Sequence, residues 1–140
     1  MLFMQSRKKS LGVQSLLLKL INNNCPELKA LVEGPRRDKR VNLSLVVLVV
    51  PLEDGELQVG NAFYAVTRDI SIAGVGVIMA QQRALDEVIL GFRMENEIVF
   101  CRATAKHLNP MGSGFYQIGM EITETVPGSK YPELQVFFKY

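Results

Sequence analysis

Residues 57–71 read LQVGNAFYAVTRDIS, and residues 74–80 continue as GVGVIMA. Both runs are rich in valine, isoleucine, phenylalanine and tyrosine, the side chains that fit a pleated, half-buried surface. The gap between them is short, so they predict two strands at hairpin spacing. Upstream, VNLSLVVLVVPL (41–52) ends at the turn signal EDGE (53–56). Downstream come EVILGFRM (87–94), EIVFCRATAKHL (97–108) and FYQIGMEIT (115–123), punctuated by MEN (94–96) and NPMGSG (109–114). Six strands with no intervening helix predict an all-β, antiparallel barrel or sandwich.

The run 41–52 carries a further expectation. It begins by alternating through Val41, Leu43 and Leu45, then turns apolar on both faces up to Pro51. A strand apolar on both faces is covered on both, so Val46, Leu48 and Val50 or their neighbours need an outer cover. Two segments could supply it. One is the tail YPELQVFFKY, which from Pro132 reads as a short amphipathic helix. The other is the N-terminal third. There SLLLKLI is a compact apolar run, and NNNCPELKALVEG reads as a helix with Pro26 in its first turn and Gly34-Pro35 as its stop. The expected organisation is a helical extension at 1–33, then a barrel domain at 34–140 closed by a C-terminal helix.

The 140 residues suit one domain, and 48% hydrophobic with 21% charged residues is a globular composition. The formal net charge of +2 is too small for bulk attraction to a nucleic acid polymer or a membrane. The charge is unevenly placed. Residues 1–40 hold nine basic and three acidic side chains, a net of +6, whereas residues 41–140 hold seven and eleven, a net of −4. Cys25 and Cys101 show neither metal nor disulfide spacing, which predicts free thiols in a reducing compartment. The apolar run near the N-terminus is broken by Gln14 and Lys19 and is too short to span a bilayer. The expectation is a cytoplasmic protein.

Two polar clusters stand out from this background. GPRRDKR (34–40) places Arg36, Arg37, Lys39 and Arg40 within five positions on a linker before the first strand. Asp69, Ser71 and Gly74 stand at the junction of the second and third strands, as DISIAG. In an antiparallel fold the segment entering the first strand can lie across the end of that junction, which would unite the clusters. Their chemistry suits a phosphorylated guanine nucleotide. An arginine fork pairs with phosphate or with guanine O6 and N7, and its plane stacks on a purine. A carboxylate accepts from the guanine N1 and N2 hydrogens, and a serine hydroxyl adds a small donor or acceptor. Gly74, with Gly76 beyond it, permits close backbone approach.

Arg36-x-x-x-Arg40 followed by Asp69-x-Ser71-x-x-Gly74 resembles the signature of the PilZ domain, a bacterial receptor for cyclic di-GMP. The resemblance extends over about residues 36–124 and includes FYQIGMEI, which is similar to the last strand of such barrels. It implies a six-stranded antiparallel β-barrel of PilZ type. In it Arg36 and Arg40, with Arg37 beside them, wrap the ligand from a loop. Asp69 and Ser71 hydrogen-bond guanine, and Gly74 shapes the turn. Pro35 stands where some members carry an extra arginine. The implied function is a cyclic di-GMP receptor that needs no cofactor and acts on an effector protein in motility, adhesion or exopolysaccharide output, with a homodimer as one mode of action.

Blander roles compete at each position. The charge run suits a solvated linker, Asp69 and Ser71 suit a turn, and Gly74 and Gly76 suit a bulge. Arg68 is expected on the face opposite Asp69, in a surface salt bridge. His107 has no companions placed to form a metal or catalytic site, and the sequence holds no nucleophile elbow, Walker loop or paired carboxylates, so no enzyme is expected. The alternative function is a protein-interaction adaptor in pilus or flagellar assembly that works through its N-terminal segment. RNA binding by the basic stretch is weaker still, because no exposed aromatic stacking platform is evident.

Overall fold

The computed structural model describes residues 41–71, 74–94 and 97–137. The expected helical extension at 1–33 and the basic motif with Arg36, Arg37 and Arg40 lie outside the described residues. The described residues form eight strands: β1 (Val41–Asn42), β2 (Val46–Glu53), β3 (Glu56–Leu57), β4 (Phe63–Ile70), β5 (Gly74–Met79), β6 (Glu87–Met94), β7 (Glu97–Gly112) and β8 (Phe115–Val126). The six long ones run in the order β2, β4, β5, β8, β7, β6 around the barrel. β6 then returns to β2, pairing Val47 with Phe92 through to Leu52 with Glu87. β2 also pairs with β4, from Val46 opposite Val66 to Val49 opposite Phe63, which closes the ring. Every pairing is antiparallel, as the hairpin spacing predicts.

Alternation fills the interior. Val47 and Val49, Val75, Val77 and Met79, Val88, Leu90 and Phe92, Cys101 and Ala103, and Ile118, Met120 and Ile122 form one buried cluster. Each set is every second residue of its strand, the period-two signature of one face turned inward. A buried aliphatic side chain of this size contributes about 1.5–3 kcal/mol.

The run 41–52 departs from the single strand expected of it. It divides into β1 and β2, with Leu43–Leu45 as a joint between them. The fully buried Thr67 of β4 explains how the joint stays paired. Its hydroxyl donates to the Leu43 carbonyl at 2.5 Å and accepts from the Leu45 amide at 2.8 Å. The Thr67 amide in turn donates to the Leu45 carbonyl at 2.8 Å. A side chain thus supplies the bonds that the interrupted ladder lacks.

The outer cover expected for this region comes from the C-terminal tail. Pro132–Phe137 forms a short 3-10 helix whose Leu134 is fully buried. Leu134 packs with Leu48, Val50, Ile89, Phe100 and Val126, with Tyr131 and Phe137 at the edge, in a second cluster outside the barrel wall. Val46 is not covered in this way and is 64% exposed.

The stretch NPMGSG, expected as a break, is mostly strand. β7 continues to Gly112 and β8 starts at Phe115, so the turn is Ser113-Gly114, at φ 56° and 83°. Positive φ at both central positions is the type I′ geometry that matches strand twist. Pro110 is tolerated because the pairing of β7 with β6 ends at Thr104, leaving Pro110 with only Tyr116 of β8 opposite.

Candidate ligand site at the β4–β5 end of the barrel

Asp69, Ser71 and Gly74 come together where β4 hands over to β5. Ser71 and Gly74 exchange backbone bonds, Ser71 N–H to Gly74 O at 2.9 Å and Gly74 N–H to Ser71 O at 3.3 Å. This clamps the hairpin at its mouth. Ser71 is buried, at 2% exposure. Gly74 stands opposite Glu121 of β8, and a Cβ there would collide with the Met120 carbonyl oxygen. A side chain at 74 would therefore push β5 off β8.

The ladder between β4 and β5 changes register at this point. Thr67 faces Val77 and Asp69 faces Gly76, so Arg68 is the extra residue of a bulge. A bulge turns two consecutive side chains toward one face, which simple alternation forbids. Gly76 lies between the inward Val75 and Val77, so it floors the outer face. A Cβ on Gly76 would lie 2.8 Å from Asp69 Oδ1 and 3.2 Å from Gln117 Nε2. Arg68 Nη1 reaches the same place, donating to Gln117 Oε1 at 2.5 Å. The expectation for Arg68 is thereby corrected. It shares the outer face with Asp69, and among the described residues its bond is to an amide across β5.

The neighbouring surface is low and polar. Gly76 pairs with Gly119 of β8, which pairs with His107 of β7. Nothing stands within 4 Å of where a Gly119 Cβ would be, so the floor is open there. Lys106 and Glu121, 3.3 Å apart, edge this area. The sequence reading passed over Gln117. The signal that could have found it is the strand's own alternation, which sends Ile118 and Met120 inward and leaves Gln117 and Gly119 outward.

β1 sets the approach of the basic motif. Val41 pairs with Ile70 and Asn42 with Asp69, and Arg40 is the residue before Val41. The described pairing therefore sets Val41, the residue that follows the motif in the chain, beside Ile70 of β4. The position of the arginine side chains lies outside the described residues.

Elsewhere, the described residues contain no group of three His, Cys, Asp or Glu placed to hold a metal. No helix among them is long and apolar enough to cross a membrane. A concavity of about 380 Å³, mainly apolar, lies between Val46, Leu48, Tyr64, Arg93, Ile98 and Phe137. Burial pushes the Cys101 thiol up to about 12.

Neither a family profile nor a curated protein matches the sequence. Solved structures do match its fold. The Bacillus subtilis inhibitor of motility (MotI/DgrA) is 18% identical, with a TM-score of 0.51 over 76% of this chain and 51% of that one. The MrkH–c-di-GMP complex of K. pneumonia is 15% identical, with a TM-score of 0.45 over 76% of this chain and 51% of that one. The chain spans about half the length of the structures it matches. The likeness to the inhibitor of motility shows that the two share a barrel fold.

Proposed function

We propose that the chain is a receptor for cyclic di-GMP that regulates a partner protein. One observation supports the reading: β1 pairs with β4 at Ile70 and Asp69, so Val41, which follows Arg40 in the sequence, stands beside the second half of the motif. Asp69 sits half-buried on an outer face floored by glycine, where a flat base can approach the backbone. In this reading its carboxylate accepts from the guanine N1 and N2 hydrogens. Ser71 and Gly74 keep the hairpin frame, and the arginines close on the phosphates from the linker.

The expected mechanism is closure by charge neutralisation. Residues 36–40 carry net positive charge and repel one another until two phosphodiester groups arrive. Closing the linker would re-aim residues 1–33 relative to the barrel and so alter what the partner meets. Replacing Arg36 or Arg40 by Ala is expected to cost about 2–5 kcal/mol of cyclic di-GMP affinity, as is Asp69→Ala. Equilibrium binding of fluorescently labelled cyclic di-GMP measures this, and unchanged affinity in the three variants would place the site elsewhere.

A second reading, the interaction adaptor, draws support from the uncovered apolar side chains Val46 (64% exposed), Tyr64 (58%) and Val66 (42%) on β2 and β4. Deleting residues 1–33 separates the readings. Loss of partner or oligomer with intact nucleotide binding would assign the output to that segment.

A further inference from the structure

An apolar strip runs across the outer face of β4 and its neighbours. Val66 stands opposite Val46 of β2 and Ile78 of β5, and Tyr64 stands opposite Leu48 of β2. Residues paired across strands share a face, so these side chains lie together. Val46, Tyr64 and Val66 are 64%, 58% and 42% exposed. Leu134 of the tail packs with Leu48 and Val50 in a cluster that does not include Val46. Between this strip and Phe137 of the tail lies the apolar concavity of about 380 Å³. That volume falls within the range of about 300–1,000 Å³ usual for binding clefts. Contiguous exposed apolar surface of this kind marks a contact face.

We propose that this strip and its concavity are the docking surface for residues 15–21 of the same chain, SLLLKLI. Five of those seven residues are leucine or isoleucine, and burying them is favourable wherever apolar surface is open. The barrel interior is filled by its own strands, so the open surface is the outer one. The route is short. Ile21 is joined to Val41 by residues 22–40, 19 in all. Val41 pairs with Ile70, which is about 13 Å from Val66 and about 20 Å from Tyr64 along β4, at about 3.3 Å per residue. Nineteen residues cover about 28 Å even at the helical rise of about 1.5 Å each. A tether of this length keeps the segment at an effective concentration of about millimolar, ahead of any free partner at micromolar levels. Docking hides both apolar surfaces at once. It also anchors the far end of the linker that carries Arg36, Arg37 and Arg40, so that both its ends lie along β4. The proposal holds whether or not that linker binds a nucleotide.

Lys19 lies inside the segment and Lys9 outside it, so trypsin reads the docking directly. In limited digestion of the full chain, followed by mass spectrometry, cleavage after Lys19 is expected to be about tenfold slower than after Lys9. Val46→Asp puts a carboxylate into the strip at an exposed position and is expected to bring the two rates within about twofold. Equal rates in the wild-type chain overturn the proposal. So does protection that Val46→Asp leaves unchanged, because the segment would then be shielded by something other than this face. If Val46→Asp does not fold, a disulfide trap decides the matter. In a Cys25→Ser background, with Cys101 fully buried, Tyr64→Cys is combined in turn with Leu16→Cys, Leu17→Cys, Leu18→Cys and Leu20→Cys. At least one pair is expected to cross-link within a single chain under mild oxidation. Thr123→Cys, exposed on β8 across the barrel, is expected to give none. No cross-link from Tyr64→Cys, or an equal yield from Thr123→Cys, overturns the docking. Cross-links only between two chains would put a second copy in the groove and overturn it as well.

Discussion

Single residues decide how the ends of the strands are held, and Thr67 shows it most clearly. Its buried hydroxyl serves the Leu43 carbonyl and the Leu45 amide at once. Thr67→Val keeps the shape and strands both groups, which predicts a loss of about 2–4 kcal/mol in urea unfolding. Because the same joint holds β1 beside Asp69, nucleotide affinity is expected to fall with it. Gly76→Ala tests the crowding over the bulge. The added methyl displaces the ends of Asp69 and Gln117, and cyclic di-GMP affinity is expected to drop at least about tenfold, about 1.4 kcal/mol, with the barrel intact. At this scale the sequence was legible where chemistry sat in one short motif: Asp69, Ser71 and Gly74 do meet at one hairpin. It was not legible where geometry broke the alternation. Nothing in TRDIS marks Arg68 as an extra residue, because a bulge is set by the ladder of the neighbouring strand. The outward position of Gln117 follows from alternation, but its neighbours were not legible, since they come from β4 and β5.

Among the elements, β2 has two faces that do different work. Val47 and Val49 enter the barrel, while Leu48 and Val50 meet the tail through Leu134. The continuous apolar run of 41–52 signalled this double burial, and the tail's leucine and phenylalanine signalled one of the two candidate covers. Sequence could not choose between the tail and the N-terminal segment, because both are apolar and amphipathic. Leu134→Ala is expected to cost about 2–5 kcal/mol by chemical denaturation, since it opens a cavity in a cluster of six buried side chains among the described residues. Turn chemistry was more legible. Asp54 and Gly55, at φ 52° and 80°, close β2 onto β3 as the EDGE signal predicts. The β7–β8 ribbon outran expectation because Ser113-Gly114 makes an equally tight turn three residues later than the cluster Asn109-Pro110 suggests.

At the scale of the whole molecule, closure of the barrel places Cys101 entirely inside, and burial holds its thiol protonated up to about 12 from an ordinary value of 9.0. Because the folded value is raised, the associated stability is fully present below pH 9 and is lost as pH climbs toward 12. In a Cys25→Ser background, thiol reagents are expected to leave Cys101 untouched in the native protein and to label it on unfolding. Native-state labelling at the rate of a free thiol would contradict the closed barrel. Along the sequence the charge is divided: net +6 precedes Val41 and net −4 follows from it onward. In the proposed receptor reading, the mildly acidic barrel offers Asp69 and the glycine floor, and the basic segment the counter-charge for an anionic ligand. That division was visible in composition alone, whereas the pairing of Val41 with Ile70 that joins its halves was not. The central claim is that these halves form one cyclic di-GMP site, and calorimetric titration of the full chain tests it most directly. The account predicts saturable heat with cyclic di-GMP at micromolar protein and little with cyclic di-AMP. Absence of heat with cyclic di-GMP under the same conditions would contradict it.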